Sequence, residues 1–171
     1  QQKNVEGIRT NTLSLENGDA IFGSVSWSLN APYYSYTFIN KVDKQGNIIW
    51  SKPIKDSIDG TTEPAKLLRL NENKYILCGG IYSNNRLVRH NWFGLFDKDF
   101  NELGSYSFPS EYDNDMLWEM IQDSRGDLVF CGLSGKKNDR GNGAIDRGKA
   151  FILCTDTFGN KKWYHEYWDT S

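Results

Sequence analysis

Apolar and polar positions follow one theme three times along the chain. Leu13-Ser-Leu-Glu-Asn-Gly-Asp-Ala-Ile-Phe-Gly-Ser24 returns 55 residues later as Leu68-Arg-Leu-Asn-Glu-Asn-Lys-Tyr-Ile-Leu-Cys-Gly79. After a further 53 it returns as Ile121-Gln-Asp-Ser-Arg-Gly-Asp-Leu-Val-Phe-Cys-Gly132. Each copy is an alternating apolar–polar stretch, a short polar turn and a nearly continuous apolar run. Alternation places every second side chain on a buried face, and the turn residues close the chain back on itself. The pattern predicts a β-hairpin in each copy, with turns at Glu16–Asp19, Asn71–Lys74 and Ser124–Asp127.

A second pattern follows each hairpin, in the segments Phe38–Trp50, Trp92–Gly104 and Phe151–Trp163. Asp43, Asp97 and Asp156 coincide, as do Asn47, Asn101 and Asn160. The aspartate accepts backbone N–H bonds across a tight turn, and Gly46 and Gly159 supply a positive φ. Trp50 and Trp163 then pack back across the sheet and are expected to be buried. The middle copy has Phe100 and Gly104 in place of the glycine and tryptophan, so a turn of different shape is expected there.

Each repeat therefore reads as four strands, the middle two apolar on both faces, which requires cover on both. A four-stranded sheet that recurs every fifty-odd residues and is covered on both faces is the pattern of a β-propeller blade. The expected fold class is all-β: three four-stranded antiparallel blades at 5–55, 62–108 and 116–168. A ring needs about four to eight blades, so these are expected to form part of a larger or multi-chain propeller. Further blades or protein partners would cover one side of Ile21, Phe22, Phe38 and Ile39 at one end, and one side of Val129, Phe130, Phe151 and Ile152 at the other.

The hairpin Asn17-Gly18-Asp19 followed by Asp43-Lys-Gln-Gly-Asn-Ile-Ile-Trp50 resembles the propeller repeats common in secreted and cell-surface proteins of Bacteroidota. It is also similar to the tryptophan-docking repeat of quinoprotein-like propellers. The resemblance covers about residues 8–167 and implies the architecture; propellers of this kind serve as adhesins, scaffolds, lipoprotein subunits and enzymes alike.

Composition narrows the partners. A net charge of −2 gives no bulk positive field for a nucleic acid and no polybasic run for a membrane surface. No apolar stretch is long enough to span a bilayer, so no membrane insertion is expected. Cys78, Cys131 and Cys154 each sit inside an apolar run and are expected to be free, inert thiols. The opening Gln1-Gln2-Lys3-Asn4 fits a mature chain after signal removal, which predicts an extracytoplasmic location: periplasm, cell surface or secreted.

Candidate chemistry is sparse. Arg125-Gly126-Asp127 spells an adhesive tripeptide but occupies a hairpin turn that explains it. The stretch 138–149 looks like a calcium loop, yet Arg140 and Lys149 stand where ligands are needed. His90 and His165 share no ligand spacing, so neither a metal nor a cofactor is expected. A sialidase-type repeat spaces its Asp and Gly more closely than Asp43-Lys-Gln-Gly46 does, and its site would need a Tyr–Glu pair as well as an arginine cluster facing one cavity, so arginines on the long connections do not make one. All the tight turns share one rim. The long connections on the opposite rim carry Trp27, Tyr33, Tyr34, Arg86, Arg89, His90, Tyr112, Arg140 and Arg147, an aromatic and arginine set suited to a protein or glycan. The expected function is a non-catalytic interaction or scaffold module, not an enzyme, binding a protein assembly or surface glycan through that rim. The alternative is a fragment of a larger propeller enzyme, quinoprotein-like or glycan-cleaving.

Overall fold

The computed structural model describes residues 4–28, 35–54, 61–82, 89–108, 114–137 and 145–167. The strands within them are β1 (Asn4–Ser14), β2 (Ala20–Ser28), β3 (Ser35–Val42), β4 (Ile48–Pro53), β5 (Thr61–Asn71) and β6 (Lys74–Tyr82). They continue as β7 (Arg89–Asp97), β8 (Glu102–Phe108), β9 (Asn114–Gln122), β10 (Leu128–Lys137), β11 (Ile145–Thr155) and β12 (Lys161–Tyr167). The fold is all-β, as the alternation requires.

Consecutive strands pair antiparallel within β1–β4, within β5–β8 and within β9–β12. The first four strands form a sheet of their own, but the other eight form one sheet, because β7 and β9 run parallel at the pair Arg89–Asn114. The expectation of three separate sheets is thus corrected to a sheet of four and a sheet of eight. Repeat length alone does not reveal such a junction, since it depends on where two non-adjacent strand ends meet.

The tight turns form as the sequence requires. Asp43 Oδ1 accepts the backbone N–H groups of Gln45 at 2.9 Å and Asn47 at 2.8 Å, and Oδ2 accepts from Asn47 Nδ2. Asp97 and Asp156 repeat the arrangement. The middle turn is not different in shape. Phe100 takes φ 58°, in the left-handed region that Gly46 and Gly159 also occupy, and its N–H still donates to the Asp97 carbonyl. The ring explains why this conformation is tolerated. It is buried, stacks on Tyr75 at 4.7 Å and lies 5.6 Å from Trp50.

Two apolar clusters lie on opposite faces of β5–β8. Alternate residues of β6 and β7 divide between them. Tyr75, Leu77, Ile81, Trp92 and Phe96 join Ile21 and Ile39 of the first sheet. Ile76, Cys78, Phe93 and Leu95 join Leu117, Phe130, Phe151 and Leu153. The seams also carry polar ties. Thr62 Oγ1 donates to Thr37 Oγ1 at 2.8 Å in a buried pair, Leu67 N–H donates to Asn11 Oδ1 at 2.9 Å, and Lys66 pairs with Glu119 at 2.7 Å.

The first strand of each repeat breaks register against the second: between Ile8 and Thr12, between Pro64 and Lys66, and opposite Cys131 and Gly132. At the last two breaks a glycine faces the disturbed backbone. A Cβ on Gly79 would land on the Glu63 carbonyl, and one on Gly132 on that of Met116. The first repeat uses Thr10 instead, whose Oγ1 accepts the Gly23 N–H at 2.6 Å.

The two docking tryptophans differ. Trp50 is half-buried and packs into the first cluster. Trp163 is 36% exposed, and its ring lies 5.7 Å from that of His165 on the same strand. The expectation that Trp163 is buried is therefore corrected: the face of β9–β12 turned away from β5–β8 has no sheet over it among the described residues.

Candidate functional site

Polar side chains gather at the long-connection ends of the central strands. They come from the first residues of β5, β7 and β9 and the far end of β10. Arg89, Asn91, Asn114, Asp115 and Ser134 are buried there, while Glu63 and His90 are partly covered. Arg89 Nη2 lies 3.3 Å from Glu63 Oε2, tying β7 to β5. Ser134 Oγ donates to Asp115 Oδ1 at 2.6 Å, tying β10 to β9. His90 Nδ1 lies 3.9 Å from Asp115 Oδ2, across the junction that makes the eight-stranded sheet.

Burying a carboxylate without partners costs several kcal/mol, and Asp115 is fully buried. Ser134 meets that need with a short hydrogen bond, and the imidazole edge stands on the other side. The order of the three groups is hydroxyl, carboxylate, imidazole. Nucleophilic catalysis needs the imidazole on the hydroxyl, with the carboxylate behind it. Here the carboxylate is in the middle and Ser134 is inaccessible. The cluster can hold three strand ends in register, and it does not assemble an activated serine. Among the described residues no group of three or more His, Cys, Asp and Glu side chains is placed to hold a metal ion.

The residues expected on the rim distribute as follows. Arg89 opens β7 and is buried in its ion pair, so it braces the sheet and is not a free rim side chain. His90 is the next residue of β7, beside Asp115. Trp27 lies in β2, opposite Val5 and Ser35, and Arg147 lies in β11. Tyr33, Tyr34, Arg86, Tyr112 and Arg140 lie outside the described residues, as does most of the calcium-like stretch. Sequence reading missed Glu63, Asn114, Asp115 and Ser134. The available signal was polar residues at the ends of otherwise apolar strands, which look the same as ordinary loop residues.

The opposite end carries a cleft of about 400 Å³ between the two sheets, lined in part by Trp50, Tyr75, Lys41, Lys52, Lys98 and Asp99. Its cations are engaged within the chain. Lys41 pairs with Asp19 at 2.9 Å, Lys98 pairs with Asp99, and Lys52 donates to the Asp99 carbonyl beside the Trp50 ring. The tripeptide Arg125-Gly126-Asp127 is likewise used internally. Arg125 pairs with Asp123, and the buried Asp127 accepts from Lys162 at 2.6 Å.

No protein-family model matches the chain, and no curated protein matches it. Among solved structures it is similar to a mutant of the Bombyx mori GH32 beta-fructofuranosidase BmSUC1 in complex with sucrose. That likeness has a TM-score of 0.52 at 14% identity, over 94% of this chain and 38% of that one. Another structure of the same beta-fructofuranosidase gives 0.49 at 14%, over 91% of this chain and 36% of that one. A structure described as the eukaryotic initiation factor gives 0.49 at 11%, over 94% and 32%. The chain thus spans about a third of the length of these three structures. The first likeness supports a propeller-like all-β fold. It also corrects the expectation that the chain is not an enzyme: a glycoside hydrolase carries a similar fold, so repeat architecture gives no ground for excluding catalysis.

Proposed function

We propose that the chain supplies consecutive blades, at 5–55, 62–108 and 116–168, of a larger extracytoplasmic β-propeller that binds a surface glycan or a protein assembly at its long-connection end. The observation that carries this reading is the contrast between the two ends. At one end the turns satisfy their own hydrogen bonds through Asp43, Asp97 and Asp156. At the other, the buried Arg89 and Asp115, tied to Glu63 and Ser134, brace the strand ends from which the long connections leave. Binding surfaces concentrate on loops held by rigid scaffolds. A glycan array followed by hydrogen-exchange mapping with the captured glycan tests it. Protection of segments 83–90 and 109–116 is expected. Protection confined to the tight turns at 44–47, 98–101 and 157–160 would overturn it.

A second reading is favoured by the likeness to a beta-fructofuranosidase: these are blades of a larger glycan-cleaving enzyme. Release of hexose from sucrose or a fructan by the protein would support it. A bound but intact saccharide at the same end would favour the first reading.

A further inference from the structure

Two seams inside the chain follow one rule. A ring on the fourth strand of one repeat seats on the positive-φ turn residue of the next. Trp50 of β4 lies against Phe100, in the β7–β8 turn. Tyr106 of β8 lies over Gly159, in the β11–β12 turn, close enough that a Cβ there would meet its ring. Phe100 and Gly159 have one counterpart left, Gly46 in the β3–β4 turn, and among the described residues nothing stands within 4 Å of where its Cβ would be. Trp50 has one counterpart left, Trp163, which stands three residues after Asn160 as Trp50 stands three after Asn47. Among the described residues, therefore, the ring of the last repeat and the seat of the first have no partner from another repeat.

The faces around them agree. Strand register places Ile121 beside Val129, Cys131 beside Ile152, and Cys154 beside Trp163 on the outer side of β9–β12. Ile121, Trp163 and Tyr167 are exposed there. The outer side of β1–β4 presents Phe22 and Phe38, half-buried and flanking the Asn40–Ser24 hydrogen bond. In both internal seams a face of the first kind is covered by a face of the second kind from the next repeat.

We propose that two copies of this chain associate head to tail, the outer face of β9–β12 of each closing on the outer face of β1–β4 of the other, with Trp163 seated on the Gly46 turn. The proposal rests on the propeller reading and names the partner that completes it. A heterologous contact closes only when its rotation returns to the start, and the proposal requires that of two chains of three repeats, with both seams then filled.

Sedimentation equilibrium of the 171-residue chain at 1–100 µM, with Trp163→Glu and Phe22→Lys prepared alongside, provides the test. A dimer is expected for the unmodified chain, and each variant should raise its dissociation constant by about thirtyfold or more, the scale of a buried aromatic anchor. An equimolar mixture of the two variants should regain dimer, because one of its two seams joins unmodified faces. Circular dichroism matching that of the unmodified chain checks that each variant folds. A monomeric unmodified chain, a dimer indifferent to Trp163→Glu, or a mixture that stays monomeric would each overturn the second copy. None of these outcomes bears on glycan protection at the long-connection end, so the two readings fail separately.

Discussion

Phe100 shows how packing decides a conformation that local preference opposes. A non-glycine residue at φ 58° costs about 1–2 kcal/mol, while its buried ring contacts Tyr75, Phe96 and Trp50. Phe100→Ala should lose about 3–5 kcal/mol in urea denaturation. Phe100→Gly loses the same ring but relieves the backbone, and should be the milder change by about 1 kcal/mol. The turn aspartates set an acid limit. Asn47 holds the carboxyl of Asp43 below its usual range, the Asn101 backbone and side chain do so for Asp97, and Asn160 for Asp156. A depressed folded pKa contributes stability that is complete above the unfolded value of 3.8 and is lost as pH falls through the folded one. Melting temperature should therefore hold down to about pH 4 and fall below it, with a shallower fall for Asp97→Asn. Burial pushes the Cys78 thiol up, so it should resist a thiol reagent in the native protein, and three thiols should react once the chain unfolds. The turn aspartates and asparagines were legible from residue type and spacing. The fate of Phe100 was not, because the lost glycine argues for a new turn and only the surrounding rings argue against it.

Among the strands, the register breaks are what sequence conceals. Alternation located the hairpins and their turns, and it identified β6 and β7 as strands covered on both sides. The break in each first strand leaves one trace, a glycine at Gly79 and Gly132, and the first repeat has Ser24 at that position. At Gly79 the neighbouring backbone, not a flexible side chain, occupies the space, so Gly79→Ala should cost about 2–3 kcal/mol, measured by chemical denaturation. The polar platform was illegible for a related reason. Asp115 and Ser134 are 19 positions apart, and they meet only because β9 and β10 pair across a disturbed register. Arg89 was read as a free rim side chain, since its partner Glu63 belongs to a different hairpin.

Across the molecule, equivalent residues do unequal work according to whether a neighbour is present. Trp50→Ala should cost about 3 kcal/mol or more, whereas Trp163→Ala should change the stability of the dilute monomer by less than about 1 kcal/mol. Urea melts of both variants, run at concentrations where sedimentation finds only monomer, check the pair. Strand order has a further consequence, for time rather than energy. Apart from the β7–β9 junction, pairing joins consecutive strands, and each repeat packs on the one made after it. At a synthesis rate of about 5–20 residues per second, the offset of 55 residues takes roughly 3–11 s to emerge. A hairpin closes in about 1–10 µs. Each newly made sheet therefore waits on the ribosome with Ile21 and Ile39, and later Ile76 and Phe93, bare for seconds. The interval between making a surface and making its cover is when a chaperone has its opportunity.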